Sequence, residues 1–321
     1  VRVRTTEVRH HRLDVRGIHV KRINGITTMQ PLLKPNIDPP HSQAWLPTIR
    51  RVAVIFDNTV RPETTGLYCR RALGQLARDG QLVEVEHFLP DELHRIPRDR
   101  FDLFLIVDDG LPHELPDWLH PSVFWAIDTH VSFDRCLAIA RQVDLTFAAQ
   151  RDGAQRLQEA GIDGAQWLPL ACDPELHGRQ PVDKRYDVSF VGNIFPGERA
   201  ELVELLSEQY PSSFVGRRYF EQMAEVYSAS RAVFNRSLDG DINMRVFEGL
   251  CSGSLMVTNA LDDQGQAELF QDGVHLATYA DREELLNKLG TYLADEAARE
   301  RVAAAGWVEV LARHTYRHRM E

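Results

Sequence analysis

Long hydrophobic runs are missing from this chain of 321 residues. Nowhere do eighteen apolar residues follow one another, which excludes a membrane-spanning helix. Cysteine is scarce: Cys69, Cys136, Cys172 and Cys251 lie far apart with no CxxC pair. That argues against a zinc site and a disulfide framework, and the expected compartment is a reducing cytoplasm. The start, Val1-Arg2-Val3-Arg4, has no apolar h-region, so no secretory signal is expected. Several catalytic signatures are also missing. There is no GxxxxGK[ST] and hence no P-loop, and no GxGxxG follows the first strand of either half, which weighs against a nicotinamide enzyme. His113-Glu114 runs into Leu115-Pro116 instead of completing HExxH, and Cys251-Ser252-Gly253-Ser254 is not a GxSxG nucleophile elbow.

What is present is an ordinary globular mixture, 43% hydrophobic and 26% charged, long enough for two domains of about 150 residues each. The net charge of −10 makes wholesale coating of nucleic acid unfavourable. The charge is uneven. Residues 1–34 carry eight Lys or Arg against Glu7 and Asp14, a balance of +6, so the remainder stands at −16. Alternation in this segment (Val1/Val3, Leu13/Val15, Ile18/Val20) and the turn signal Asn24-Gly25 predict short strands in an N-terminal β-extension. The same basic arm also suits an anionic acceptor or lipid headgroup. Pro35-Asn36-Ile37-Asp38-Pro39-Pro40 reads as a linker, making 1–50 an extension of the body.

From Arg51 a strand-then-helix rhythm begins. Val52–Phe56, Val83–Val85, Leu103–Val107, Val123–Ile127 and Leu145–Ala148 read as strands, several of them continuous apolar runs suited to parallel strands covered on both faces. Thr64-Thr65-Gly66 opens a helix, and another is expected over 151–160. The pattern pauses over 171–185, a linker, and restarts with a strand at Tyr186–Gly192. Helices at 199–208, 220–228 and 244–252 then alternate with strands near Ser213–Val215, Ala232–Phe234 and Leu255–Val257, ahead of a helical tail from Glu283 to Leu311. The expectation is α/β: two Rossmann-like, doubly wound domains, 51–170 and 186–321, facing each other across a cleft.

The most informative stretch is Asp239-Gly240-Asp241-Ile242-Asn243-Met244-Arg245-Val246-Phe247-Glu248. A polar, glycine-containing loop leads into a short helix, whose free N–H groups and dipole suit an anionic phosphate. Asp239-Gly240-Asp241 reads as an acidic turn before a helix, with metal binding the less common alternative. Glu248 sits beside Phe247 and Leu250, where an unpaired carboxylate is costly. It either grips a pair of sugar hydroxyls or pairs with a cation such as Arg245; the sequence leaves both open.

These motifs have an ordered likeness elsewhere. Asp187-Val188-Ser189-Phe190-Val191-Gly192-Asn193, Tyr227-Ser228-Ala229-Ser230, Phe234-Asn235-Arg236-Ser237, Asn243 through Gly253, Glu268-Leu269-Phe270-Gln271-Asp272-Gly273, Tyr279-Ala280-Asp281, Ala305-Gly306 and His314-Thr315-Tyr316-Arg317-His318-Arg319 together resemble the spore-maturation (CgeB-like) glycosyltransferases. That bacterial group is related to the large retaining class with the GT-B fold. Over 51–170 the likeness is confined to Trp125-Ala126-Ile127-Asp128 and Leu168-Pro169-Leu170-Ala171-Cys172-Asp173-Pro174.

The resemblance implies a nucleotide-sugar bound mainly by the C-terminal domain and an acceptor on the N-terminal one. Glu248 matches the second glutamate of the family's E-x7-E motif, which holds ribose hydroxyls; the first would fall at Gly240, so sugar contacts pass to Asp239, Asp241 or Asn243. Gly192 and Asn193 match the turn approaching the diphosphate, and Arg199 lies near the family's phosphate-binding base. Arg217, Arg218 and Arg245 are further cations for a leaving diphosphate, with no metal expected. Asp128 and His130 follow the fourth strand directly, at the sheet edge that faces the cleft. Asp128 either orients or deprotonates an acceptor hydroxyl or caps the next helix; His130 contacts the sugar, carries a proton, or merely faces solvent. Thr64-Thr65-Gly66 occupies the place of a loop touching donor and acceptor, and is equally a plain N-cap. His314-Thr315-Tyr316 with Arg319 reads as structural. The activity implied is metal-independent sugar transfer, with retention of configuration, to an acceptor that is a small molecule, glycan, protein or nucleic acid. An epimerase of the same fold and a catalytically silent binder are the rivals. A homodimer pairing through the N-terminal strands is possible on pattern alone.

Overall fold

The computed structural model describes residues 21–23, 26–28, 48–61 and 63–321. Within the first unit, Val1–Pro47, strands β1 (Lys21–Ile23) and β2 (Ile26–Thr28) pair antiparallel, with Ile23 opposite Ile26. The rest of the expected extension, its basic arm and the proline linker lie outside the described residues.

The second unit, Thr48–Glu321, holds two parallel sheets. The first comprises β3 (Arg51–Ile55), β4 (Glu84–Phe88), β5 (Leu103–Val107), β6 (Ser122–Ala126), β7 (Leu145–Ala148) and β8 (Gln166–Trp167), in the order β4-β3-β5-β6-β7-β8. Val52 through Ile55 are all buried, as an apolar run covered by helices on both faces should be. Helix α1 (Thr65–Arg78) follows β3, α2 (Phe133–Ala140) follows β6, and α3 (Arg151–Glu159) follows β7. The second sheet runs β10-β9-β11-β12-β13, from β9 (Tyr186–Val191), β10 (Phe214–Gly216), β11 (Ser230–Asn235), β12 (Leu255–Asn259) and β13 (Ala277–Tyr279). These are the two Rossmann-like domains read from the sequence.

The connection between the sheets is partly helical: Asp173 caps α4 (Pro174–His177) by accepting from the Glu175 N–H at 3.0 Å. Helices α5 (Glu198–Gln209), α6 (Phe220–Ser228) and α7 (Met244–Cys251) then alternate with the strands of the second sheet, and a single-turn helix, α8 (Gln266–Leu269), precedes β13. The expected single helical tail is two helices, α9 (Arg282–Ala294) and α10 (Glu296–Arg313). Asp295 ends the first and caps the second by accepting from Ala298 N–H. A last helix, α11 (Tyr316–Met320), is closed by a Thr315–His318 capping box.

One apolar core joins the two sheets. Phe56, Tyr68 and Trp125 from the first half and Tyr227, Val233 and Phe247 from the second belong to the same buried cluster. Tyr316 of α11 stacks on Tyr68 with ring centroids 5.0 Å apart, so the C-terminal segment packs on the N-terminal half. Arg319 fixes it there, donating to Pro169 O at 2.6 Å and Leu170 O at 3.0 Å. Both parallel sheets end their strands toward one cleft, the location expected of a ligand site in open α/β sheets.

Candidate active site

The cleft has a volume of about 470 Å³. Its C-terminal-domain wall begins where β9 stops. Gly192 has φ +149°, and a Cβ there would lie 2.3 Å from Arg245 Nη2, so the turn after β9 is open to glycine alone without moving that guanidinium. Arg245, on the first turn of α7, donates from Nε to Val191 O at 2.9 Å and from Nη1 to Asn235 Oδ1 at 2.6 Å. Its guanidinium carbon lies 4.3 Å from the Phe190 ring centre. The side chain is therefore locked, with positive charge held at the cleft wall.

Arg199, on α5, is buried and donates from Nε to Arg236 O at 2.8 Å. Burial, with Arg245 nearby, lowers its pKa to about 10. A buried guanidinium that faces a cleft and has no carboxylate salt bridge among the described residues is suited to an anion. Helix α7 starts at the same wall, with Asn243 as N-cap and its Oδ1 buried without a hydrogen-bond partner among the described residues. Gly249 lets this helix lie close on the second sheet, since a Cβ there would meet Met256 Sδ at 2.7 Å.

Glu248 lines the cleft from one turn further along α7 and is buried. Loss of hydration raises its pKa to about 7, against a smaller opposing effect of Arg245. Arg245 is committed to Val191 and Asn235, and no ion pair joins it to Glu248 among the described residues. Of the two readings the sequence left open for Glu248, pairing with Arg245 is therefore not the arrangement found. His177 Nε2 lies 3.7 Å from Glu248 Oε1.

The opposite wall comes from the N-terminal domain. Asp128 and His130 line the cleft just past β6. The helix after them, α2, takes its N-cap from Ser132 with no side-chain cap, so Asp128 does not act as a cap. Burial and the nearby Asp108 carboxylate raise the Asp128 pKa, with His130 and Arg135 opposing. Asp108 organises this edge: it accepts from the Ile127 and Asp128 N–H groups, each at 3.1 Å, and pairs with Arg135 at 3.0 Å. The His130 Nδ1 is buried without a hydrogen-bond partner among the described residues.

The structure thus brings Asp128, His130, Gly192, Asn193, Arg199, Asp241, Asn243, Arg245 and Glu248 to one cleft. Arg217 is the exception: its side chain is exposed and outside the lining, while Arg218 lines the cleft with its guanidinium 5.1 Å from the Phe214 ring centre. Successive residues leaving a strand point to opposite sides, so one of the two arginines had to face away. Asp239 also stays outside the lining. Gly240 adopts φ +74°, a left-handed turn that a glutamate would occupy only under strain. At the first helix, Thr64, Thr65 and Gly66 are buried rather than in the cleft; Arg61 and Glu63, which no motif singled out, line it instead. Phe195, Tyr219 and Leu238 were missed too, because each is an exposed side chain on a loop with no periodic signal. Among the described residues no group of three or more His, Cys, Asp or Glu is arranged to hold a metal ion, and no helix is long and apolar enough to cross a membrane.

Residues 179–321 match a family model described as glycosyl transferase-like. No curated protein matches the chain in sequence. Among solved structures, HepE of Anabaena, in complex with UDP and glucose, is similar with a TM-score of 0.61 at 14% identity, covering 84% of this chain and 97% of that one. Sucrose-phosphate synthase from Thermosynechococcus elongatus aligns with a TM-score of 0.56 at 12% identity, over 84% of this chain and 96% of its own. An alpha-glucosyltransferase solved with UDP and a 13-mer DNA containing an HMU base gives 0.55 at 10% identity, over 82% and 95%. The fold across most of the chain is of the GT-B type, and the C-terminal domain matches a glycosyl transferase-like family model.

Proposed function

We propose that the protein transfers a sugar from a nucleotide-sugar, a UDP-sugar first among the candidates, to an acceptor held against its N-terminal domain. The observation that carries this reading is the division of the cleft. One wall presents Arg199, Arg245 and the N-terminus of α7 around a buried Glu248; the other presents Asp128 and His130. The cationic wall suits a diphosphate, which it would stabilise as it departs. Glu248 offers two acceptor oxygens to the ribose hydroxyls. Asp128, with its carboxyl pKa raised, is placed to orient or deprotonate an acceptor hydroxyl, with His130 beside it as proton carrier. The UDP complexes of the structural neighbours favour uracil as the base. The ordered motifs of the C-terminal domain favour the CgeB-like branch and retention of configuration. Asp241 and Asn243 take the sugar contacts that a glutamate at Gly240 would have made.

The reaction needs no divalent metal in this scheme, because guanidinium groups neutralise the leaving diphosphate. The test is release of nucleoside diphosphate from UDP-, GDP-, ADP- and dTDP-sugars, with and without candidate acceptors. Acceptor-stimulated release from one nucleotide class, unaffected by EDTA, is expected. Conversion of the donor sugar without any acceptor would instead make the protein an epimerase, and nucleotide binding without turnover would make it a silent binder.

A further inference from the structure

His177 has no part in the reading above, yet its surroundings are specific. It is the last residue of α4, in the connection between the two sheets, and it is 1% exposed. The Asp173 N–H donates to its Nδ1 at 3.1 Å, which fixes the neutral ring as the Nε2–H tautomer. That Nε2 is buried, has no hydrogen-bond partner among the described residues, and lies 3.7 Å from Glu248 Oε1, a few tenths of an ångström beyond hydrogen-bond length. Asp173 is itself held from the N-terminal domain, by Arg71 of α1 at 2.5 Å. The Tyr68 ring meets the imidazole edge-on with centroids 5.0 Å apart, limiting rotation.

We propose that His177 is a positioning residue for Glu248, donating its Nε2–H to one oxygen of the ionised carboxylate and leaving the other for the donor's hydroxyls. This rests on the donor-site reading of Glu248. The other groups facing Glu248 are Tyr68 from α1, Cys172 from the interdomain connection, Tyr227 from α6, Arg245 on α7 itself and Tyr316 from α11. Burial raises the pKa of both Tyr68 and Tyr227, so they stay neutral, as do Cys172 and Tyr316, raised by the same cause. Arg245 is bound elsewhere. Burial also lowers the His177 pKa to about 4, against the pull of Asp173 and with Arg71 assisting, so the ring stays neutral where Glu248 titrates. The pH dependence in the neutral range then belongs to the carboxyl group, and the imidazole sets where it falls.

Two measurements on the full chain test this. In the first, UDP affinity is followed from pH 5.5 to 9 for wild type, His177→Phe and His177→Gln. The Phe variant should lose about tenfold in affinity at pH 7 and shift the transition upward by about a pH unit, as expected when one hydrogen bond to a charged group is removed. The Gln variant, which keeps an N–H at the Nε2 position, should recover most of both. An unshifted transition in His177→Phe, or a Gln variant no better than Phe, would overturn the proposal. The second needs no nucleotide: the unfolding free energy of Glu248→Gln relative to its parent is compared across pH in the wild-type and His177→Phe backgrounds. The penalty for ionising Glu248 should be larger when His177 is absent; equal penalties would refute the contact. Absence of UDP binding by wild type would count against the donor-site reading, while the second measurement would still decide whether His177 supports Glu248.

Discussion

Replacing Glu248 by glutamine should make the free protein more stable at alkaline pH while removing its ligand. The Glu248 pKa stands at about 7 in the folded protein against an ordinary value of 4.5, because burial penalises the ion. The sign follows directly. A carboxyl group whose folded pKa is raised stabilises the fold while protonated, fully below pH 4.5, and that stability is lost as pH rises through about 7. At about 1.4 kcal/mol per pH unit, the shift amounts to roughly 3 kcal/mol by pH 8, most of it lost above pH 5. Glutamine has nearly the same shape and cannot ionise. Urea unfolding of wild type and Glu248→Gln should therefore nearly converge at pH 5 and diverge by roughly 2–3 kcal/mol at pH 8, with the variant the more stable. Differences in other titrations cancel because they are common to both proteins. Equal stabilities at pH 8, or a less stable variant there, would refute the argument that the cost of burying the Glu248 carboxylate outweighs what its surroundings return, and that it is kept for binding.

Arg245→Ala removes the donors to Val191 O and Asn235 Oδ1 and should cost about 1–3 kcal/mol in chemical denaturation, together with most of the UDP affinity in a titration. Gly192→Ala places a methyl group 2.3 Å from the present position of Arg245 Nη2, at a φ of +149°. UDP affinity, measured by calorimetry, should fall as the guanidinium is displaced. Asp128→Asn should lower the rate of sugar transfer about 10²–10⁴-fold in a single-turnover assay while UDP binding stays at the wild-type level. A parallel loss of binding would move Asp128 to the donor side of the cleft.

The sequence makes some of this legible and hides the rest for physical reasons. Val52–Phe56, Leu103–Val107 and Val123–Ile127 announce strands because a parallel strand covered on both faces must be apolar throughout. Strands β8 and β13 give no such signal, being two and three residues long. Glu248 stands out as a carboxylate among apolar neighbours, whereas Gly192 is reached through the family resemblance and Arg245 as a cation for the diphosphate that the resemblance implies. His177 lies in a segment read as a plain linker, and its importance depends on α4, a four-residue helix capped by Asp173. Arg61 and Glu63 reach the cleft from a loop, where proximity is set by the fold rather than by spacing. The break at Asp295 was invisible within an Ala-, Leu- and Glu-rich tail, although Asp295 is a sound N-cap for the second helix.

The most direct test of the account is a calorimetric titration of UDP, GDP, ADP and dTDP into wild type, Glu248→Gln, Arg245→Ala and Asp128→Asn. The account predicts one site per chain for one nucleotide, UDP first, with binding lost on replacing Glu248 or Arg245 and kept on replacing Asp128. Full-strength binding to Glu248→Gln and Arg245→Ala, or no binding of any nucleotide to wild type, would contradict it.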